Sequence, residues 1–359
     1  MIRFHEVCRA ALHRPARTRR VLTTTALAAL MALSGCQGLQ RTGTNAVIGT
    51  LERNSVPPAL AVSDLNMGCN YATTMVPLMG TMRSFYGDPS GLESILSTSS
   101  GICADLEANA EELRYLRAQR DKRSVEAQDA RTSYKRLIER TARRQLAAFE
   151  SMRTALEKKL RFKYGETCPQ FGRVKGDFNQ AIYLLGTLSG LQATVNDIAA
   201  EKAVGVPTDI PPKAEFAMTC LDDTKWWGAP QAIRATVWST VPGAAEGKDV
   251  AGTFDKAMAK AEKSGVRIAH VLAAISAGVT DDRTRVRAII KRFATAPGFE
   301  PSKDYRYVDQ TAVAAIQHLS DVDWTLGTGS RTPVGGLGTF WDEKSEPNKN
   351  NVDTSEFLK

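Results

Sequence analysis

From Leu65 to about Ala296, apolar residues recur at spacings of three and four. Alternating β-branched runs do not occur, so this stretch predicts helices and almost no strand. Residues 70–86 make a first apolar segment, stopped by Gly87-Asp88-Pro89. Leu92 to Leu96 opens another, which continues past Gly101. The span 105–163 is the most charged. It carries Leu106, Leu113 and Leu116, then Tyr134, Ile138, Leu146, Phe149, Met152, Leu156 and Leu160. That pattern predicts two long amphipathic helices with a turn or exposed bend within 120–131. The many Arg and Lys here are expected on the solvated face, a surface for an acidic partner being the alternative.

Gly165 and Pro169 end that hairpin, and residues 177–201 follow as the cleanest helix of the chain. Leu184, Leu188, Leu191, Val195 and Ile198 are spaced as one continuous stripe. Gly186 and Gly190 lie four apart on the same element, each costing roughly 1 kcal/mol against Ala. A helix tolerates that where another backbone comes close, so the pair predicts a tight helix–helix crossing. A membrane Gly-x-x-x-Gly role is excluded, because Asn179, Asn196 and Asp197 flank too short an apolar run.

After Val206-Pro207 and Pro211-Pro212 come two similar units, with Ala217-Met218 in the first and Ala257-Met258 in the second, 40 residues on. Each has a helix with small residues followed by a second helix, 231–240 and 266–277, and Pro242 closes the first pair. Ala at the contact and Pro at the stop is the logic of tetratricopeptide-type stacking, here with a period longer than the standard repeat. A further pair, 282–295 and 305–319, extends the stack with Val286, Ile289, Ile290 and Phe293 inward. Residues 321–359 break the pattern: Gly- and Thr-rich to Phe340-Trp341, then polar. The expected fold is all-α: stacked helical hairpins in a tetratricopeptide-like α-solenoid with degenerate repeats.

The N-terminus reads as an export signal. Arg14, Arg17, Arg19 and Arg20 precede a short apolar run from Val21 to Leu33, too short to span a bilayer comfortably. Leu33-Ser34-Gly35-Cys36 resembles a bacterial lipobox, which implies acylation of Cys36 after removal of residues 1–35. A plain secretory signal with an incidental Cys is the alternative. Arg19-Arg20 would also suit a twin-arginine signal, but its surroundings depart from that consensus. Gln37 rather than Asp follows the Cys, which in such lipoproteins goes with the outer membrane. The stretch 36–58 is rich in Gly, Thr, Asn and Ser and reads as a flexible tether reaching about 25 Å. The remaining organisation is a helical-repeat domain over 59–320 and an extension with a polar tail over 321–359.

Composition changes one inference. The full chain of 359 residues carries 47 Lys and Arg against 39 Asp and Glu, a net +8 that suggests an anionic partner. Six Arg and one Glu lie within 1–35, so the remainder is close to balanced and a nucleic-acid role loses its support. Cys69, Cys103, Cys168 and Cys220 remain after Cys8 and Cys36 are set aside. In an oxidising compartment they allow three disulfide connectivities, with Cys168–Cys220 preferred because each follows a helix end. Buried free thiols are the alternative.

Chemistry-bearing motifs are scarce. His270 and His318 each sit in an apolar helical context, more typical of a core or helix-face residue than of a ligand. Asp222-Asp223 and Asp281-Asp282 read as caps at turns. No nucleophile–base or metal constellation is recognised, so no enzyme, cofactor or metal is expected. Trp226-Trp227-Gly228 with Trp238 is the most informative cluster. Three indoles around one helical hairpin serve core packing, or else wall a ligand passage or anchor a partner. With Gly186 and Gly190 they form the candidate ligand or partner surface.

The order of elements resembles the T-component family of TRAP (tripartite ATP-independent periplasmic) transporters over roughly residues 66–296. The resemblance is carried by V-P-L-M at Val76–Met79, Tyr134 with the basic Arg140–Arg144 stretch, and A-A-F-E at Ala147–Glu150. It continues through the Gly186/Gly190 helix, L-D-D-T-K-W-W-G-A at Leu221–Ala229, and Pro242-Gly243. Gly243-Ala244-Ala245-Glu246-Gly247 departs from the family's Gly-Gly-Asp-like turn, and the C-terminal extension has no counterpart. The resemblance implies a lipid-anchored periplasmic accessory that oligomerises, a trimer being one option, and associates with a solute-binding protein or transporter subunit. It also implies a channel for apolar or carboxylate-bearing ligands. A structural envelope lipoprotein that scaffolds another complex at the outer membrane is the competing expectation.

Overall fold

The structure, a computed structural model, describes residues 21–172 and 176–343; the side chains of 21–36 and the tail beyond 343 lie outside that description. The described chain is all-α, with no strand among the described residues. In order it forms α1 (Val21–Asn54), α2 (Val56–Leu60), α3 (Leu65–Met82), a 3-10 turn (Arg83–Phe85), α4 (Ser90–Arg120) and α5 (Ser124–Leu160). There follow α6 (Gly176–Ala199), α7 (Ile210–Met218), α8 (Ala229–Thr240), α9 (Val250–Ser264), α10 (Ile268–Val279), α11 (Arg283–Thr295) and α12 (Arg306–Thr328). No helix among the described residues is long and apolar enough to cross a membrane.

Contacts divide the chain into two compact units, where one body over 59–320 was expected. Among the described residues, the first takes those up to 104, within 139–221 and 303–307; the second takes 105–138, 222–302 and those from 308 on. The two long helices meet at a tight turn, Asp121–Arg123, with Lys122 left-handed at φ 59°.

In the first unit, α6 is the central element. Residues 181–190 are buried on every side, and the Gly186/Gly190 crossing forms against α5. A β-carbon on Gly186 would stand 2.5 Å from Met152 Cβ, and one on Gly190 would stand 2.7 Å from the Phe149 ring. The continuous stripe is corrected in its second half: Val195 and Ile198 are 55% and 62% exposed. Ala193 and Asp197 are buried instead. Asp197 accepts hydrogen bonds from the Val204 and Val206 amides at 2.7 and 2.8 Å, and so closes the loop that leads to α7.

The flexible tether is also corrected. Residues 36–54 are part of α1, and Ile48, Val56 and Leu60 are buried. Thr44 Oγ1 donates to the Phe85 carbonyl at 3.1 Å, and Asn45 Oδ1 accepts from the Asp88 amide at 3.0 Å. Thr44, Ile48 and Leu51 follow a 4-then-3 helical spacing that the surrounding Gly, Thr and Asn obscure.

In the second unit, α8 packs against α9 and α10, and α10 packs against α9 and α11, a stack of successive helices. Both Ala-Met pairs of the expected repeat are core residues. Yet α7 packs on α6 in the first unit while α8 belongs to the second, so the first repeat is not a self-contained hairpin. The Asp249 and Asp282 side chains cap α9 and α11 by accepting from the Gly252 and Arg285 amides, each at 2.9 Å. The last helix runs nine residues past the expected end at Leu319. Asp321 and Asp323, whose acidity broke the apolar pattern, are buried and paired.

Candidate functional site

The tryptophan turn is built by Asp222 and Asp223. Asp222 accepts the Lys225 amide on its side chain at 2.6 Å and the Trp226 amide on its carbonyl at 3.1 Å; the Asp223 carbonyl accepts Gly228 N–H at 2.7 Å. Trp227 and Gly228 are left-handed, at φ 58° and 71°. The turn lies so close to α9 that a β-carbon on Gly228 would meet the Ala257 backbone. Trp226 and Trp227 meet edge to face with centroids 5.4 Å apart. Trp226, Trp227 and Trp238 are only 1%, 4% and 9% exposed. Their rings therefore fill the interior of the second unit, where they cannot offer a partner a broad apolar face. Trp238 is flanked by the cations of Arg234 and Lys248, 5.2 and 5.3 Å from its ring. Gly186 and Gly190 lie in the first unit, occupied by the α5 contact.

The four cysteines of the body are paired. Cys69–Cys103 joins α3 to α4 with Cα atoms 5.5 Å apart, and Cys168–Cys220 joins the loop after α5 to the residue two past α7, at 5.4 Å. Cys36 falls within the backbone of α1. One residue on, Gln37 Nε2 donates to the Tyr86 hydroxyl at 3.3 Å.

A cavity of about 30 Å³ in the first unit is lined by α1–α4 and Tyr307, among them Leu51, Ala72, Met79 and Leu96. Such a volume takes a water or two, not an organic solute.

Two histidine-centred clusters lie in the second unit, and neither was legible locally. His318 Nε2 stands 2.8 Å from Glu112 Oε2, a partner 206 residues away in sequence. Asp105 belongs to the same cluster, with its carboxyl pushed up to about 6 by burial, against the opposing pull of His318. Burial also raises the nearby Tyr134 hydroxyl. The second cluster centres on His270, fully buried, with Nε2 3.0 Å from Glu262 Oε1. Burial brings its imidazole down to about 4, so it is neutral at pH 7. Glu262 also accepts from Arg292 Nε at 2.6 Å. Beside it, Arg267 is clamped between the Phe293 and Phe299 rings, 3.9 and 3.7 Å away, and donates to both oxygens of the buried Asp309. Apart from His270 Nδ1, which is buried without a hydrogen-bond partner, these groups satisfy one another, which is the chemistry of a structural network.

Among the described residues, no group of three or more His, Cys, Asp or Glu is arranged to hold a metal ion. No protein-family model, no curated protein and no solved structure matches the chain.

Proposed function

We propose that the chain is a lipid-anchored, extracytoplasmic helical adaptor that works by protein contact and carries out no bond chemistry. The observation that carries this reading is the pairing of all four body cysteines, which supports an oxidising compartment. It agrees with the export leader and with a lipobox ending at Cys36. Acylated there, the chain would hold its body directly at the membrane surface, since Gln37 and Thr44 already touch the 83–88 turn. Outer-membrane sorting follows from Gln37 in this reading. The partner implied by the T-component resemblance is a periplasmic solute-binding protein or transporter subunit, for uptake of a small organic solute.

The scaffold reading has two observations in its favour. The apolar cavity is too small for a solute, and the indoles expected to wall a passage are packed inside the second unit. Fractionation and affinity capture test both levels. Cys36→Ala is expected to release the protein from membranes, and a variant that still sediments with them would refute the anchor. Capture from detergent extracts followed by mass spectrometry is expected to recover an envelope protein. A transporter subunit with impaired solute uptake in the deletion strain supports the accessory role. Another envelope complex with unchanged uptake supports the scaffold, and recovery of neither would refute the adaptor.

A further inference from the structure

Helix α11 carries Arg283, Arg287 and Lys291 at successive spacings of four, so the three cations line one face. Only one buried carboxylate of the neighbouring helix answers them. Asp323 of α12 accepts from Arg283 Nε at 2.8 Å and from Arg287 Nη2 at 2.7 Å. The stripe is thus left with an excess of positive charge after its own helix pair is satisfied.

That excess is met by a short turn after α12, closed by the Glu343 amide donating to the Phe340 carbonyl at 3.1 Å. Asp342 accepts two hydrogen bonds from Arg287, at 2.8 and 3.0 Å, and Glu343 pairs with Lys291 at 2.5 Å. Phe340 is buried, with the Arg287 guanidinium 4.5 Å from its ring. Trp341 covers Gly327 of α12 so closely that a β-carbon there would fall inside the indole. The backbone is registered as well, since Trp324 Nε1 donates to the Thr339 carbonyl at 3.0 Å. Aromatics and carboxylates therefore share the same cations: Phe340 lies over Arg287 and Lys291, with which Asp342 and Glu343 pair. The turn is fixed to α11 and α12 through its side chains and one main-chain carbonyl.

We propose that this α11–α12 face is a docking surface for an aromatic–acidic turn of another protein, and that the chain's own Phe340–Glu343 occupies it in cis. The proposal deepens the adaptor reading by naming its contact surface and rests on that reading for the partner's existence. An intramolecular occupant competes at an effective concentration near the millimolar range, so a partner must displace it. The self-segment then sets a threshold that rejects weak acidic peptides.

The test uses the full chain and a synthetic Gly-Thr-Phe-Trp-Asp-Glu peptide. In a variant with Phe340→Ser, Trp341→Ser and Asp342→Lys, the face is vacated. The peptide is expected to bind it at least tenfold more tightly than wild type, and adding Arg287→Glu should abolish binding. On the wild-type chain, which needs no substitution, excess peptide should speed amide hydrogen exchange at residues 339–343. Equal binding by wild type and the vacated variant would overturn the proposal, as would no effect of Arg287→Glu or unchanged exchange at 339–343. So would concentration-dependent dimers of the wild-type chain that exchange this segment, since the surface would then belong to a second copy. None of these outcomes bears on the capture experiment or on Cys36→Ala, so the two readings fail separately.

Discussion

The two units are held by different physics. In the first, backbone proximity and sulfur do the joining: Gly186 and Gly190 bring α6 onto α5, and two disulfides fasten α3 to α4 and the loop after α5 to the end of α7. In the second, helices are joined by buried or half-buried charge, through Arg267–Asp309, Arg283 and Arg287 with Asp323, and Glu262 with His270 and Arg292. Packing of the first kind responds to volume and to reductant. Networks of the second kind respond to charge deletion and pH, because an ion left without its partner in the interior keeps its desolvation cost. The five tryptophans all lie in segments of the second unit, so their fluorescence reports on that unit alone.

The largest effect is expected from Arg267→Ala. It strands Asp309, which has no exposed surface, and removes the cation from between two Phe rings. A loss of about 3–5 kcal/mol follows for breaking a buried pair from one side. Denaturant unfolding followed by tryptophan fluorescence should show it. A loss under 1 kcal/mol would mean that the second unit is held by its apolar contacts alone.

Next comes the Cys168→Ser, Cys220→Ser double variant. The bridge closes a loop with a sequence separation of 52. Chain-entropy scaling gives about 4 kcal/mol for a loop of that size, with strain or residual structure reducing it. Far-UV ellipticity should report the loss while the tryptophan transition of the second unit moves less. A tryptophan midpoint that shifts as far as the ellipticity would show that the two units unfold as one.

Gly186→Ala sharpens the same contrast at smaller scale. Helix propensity alone would stabilise the variant by about 1 kcal/mol. The added methyl would meet Met152, however, and overpacking of a tight crossing costs about 1–3 kcal/mol. The expected net is destabilisation, and a variant more stable than wild type in thermal melts would show that the α5–α6 contact yields.

Helix existence was legible along most of the chain because 3–4 spacing survives any partner. What escaped was everything whose meaning lies in a distant partner. Asp321 and Asp323 look like the end of a helix until Arg283, Arg287 and Thr332 supply their partners. Val195 and Ile198 look like core because the stripe is regular, yet α6 is buried on all sides only over its middle turns, 181–190, and its end projects them outward. The α1 contact was masked by composition, since three packed positions were diluted among Gly, Thr and Asn. The glycine pair was readable in sequence because an expensive residue repeated at helical spacing asks for a close neighbour. The buried role of the indoles, by contrast, needed the fold. The α11 stripe carried a usable signal, three cations four apart, whose counterpart lies some fifty residues on in Asp342 and Glu343.

The smallest expected effect is in the wild-type pH profile, and it is small because two large terms oppose. His270 is held near 4 in the folded chain against an ordinary 6.5. The unfolded chain therefore takes up that proton first, and stability falls as pH drops from about 6.5 to 4. Asp105 is raised to about 6 from 3.8, so the folded chain binds its proton first and stability rises as pH drops from about 6 to 4. Each is worth up to roughly 3 kcal/mol at about 1.4 kcal/mol per pH unit. Over the shared window the slopes cancel, leaving a net change of about 1 kcal/mol or less. Single substitutions uncover each side. Asp105→Asn should make melting temperature fall steeply on acidification from pH 6 to 4, and His270→Gln should make it rise over the same range. The slope, not the absolute stability, is the readout, so a destabilised His270→Gln protein still answers. Parallel profiles for both variants and wild type would show that neither group changes its protonation on folding.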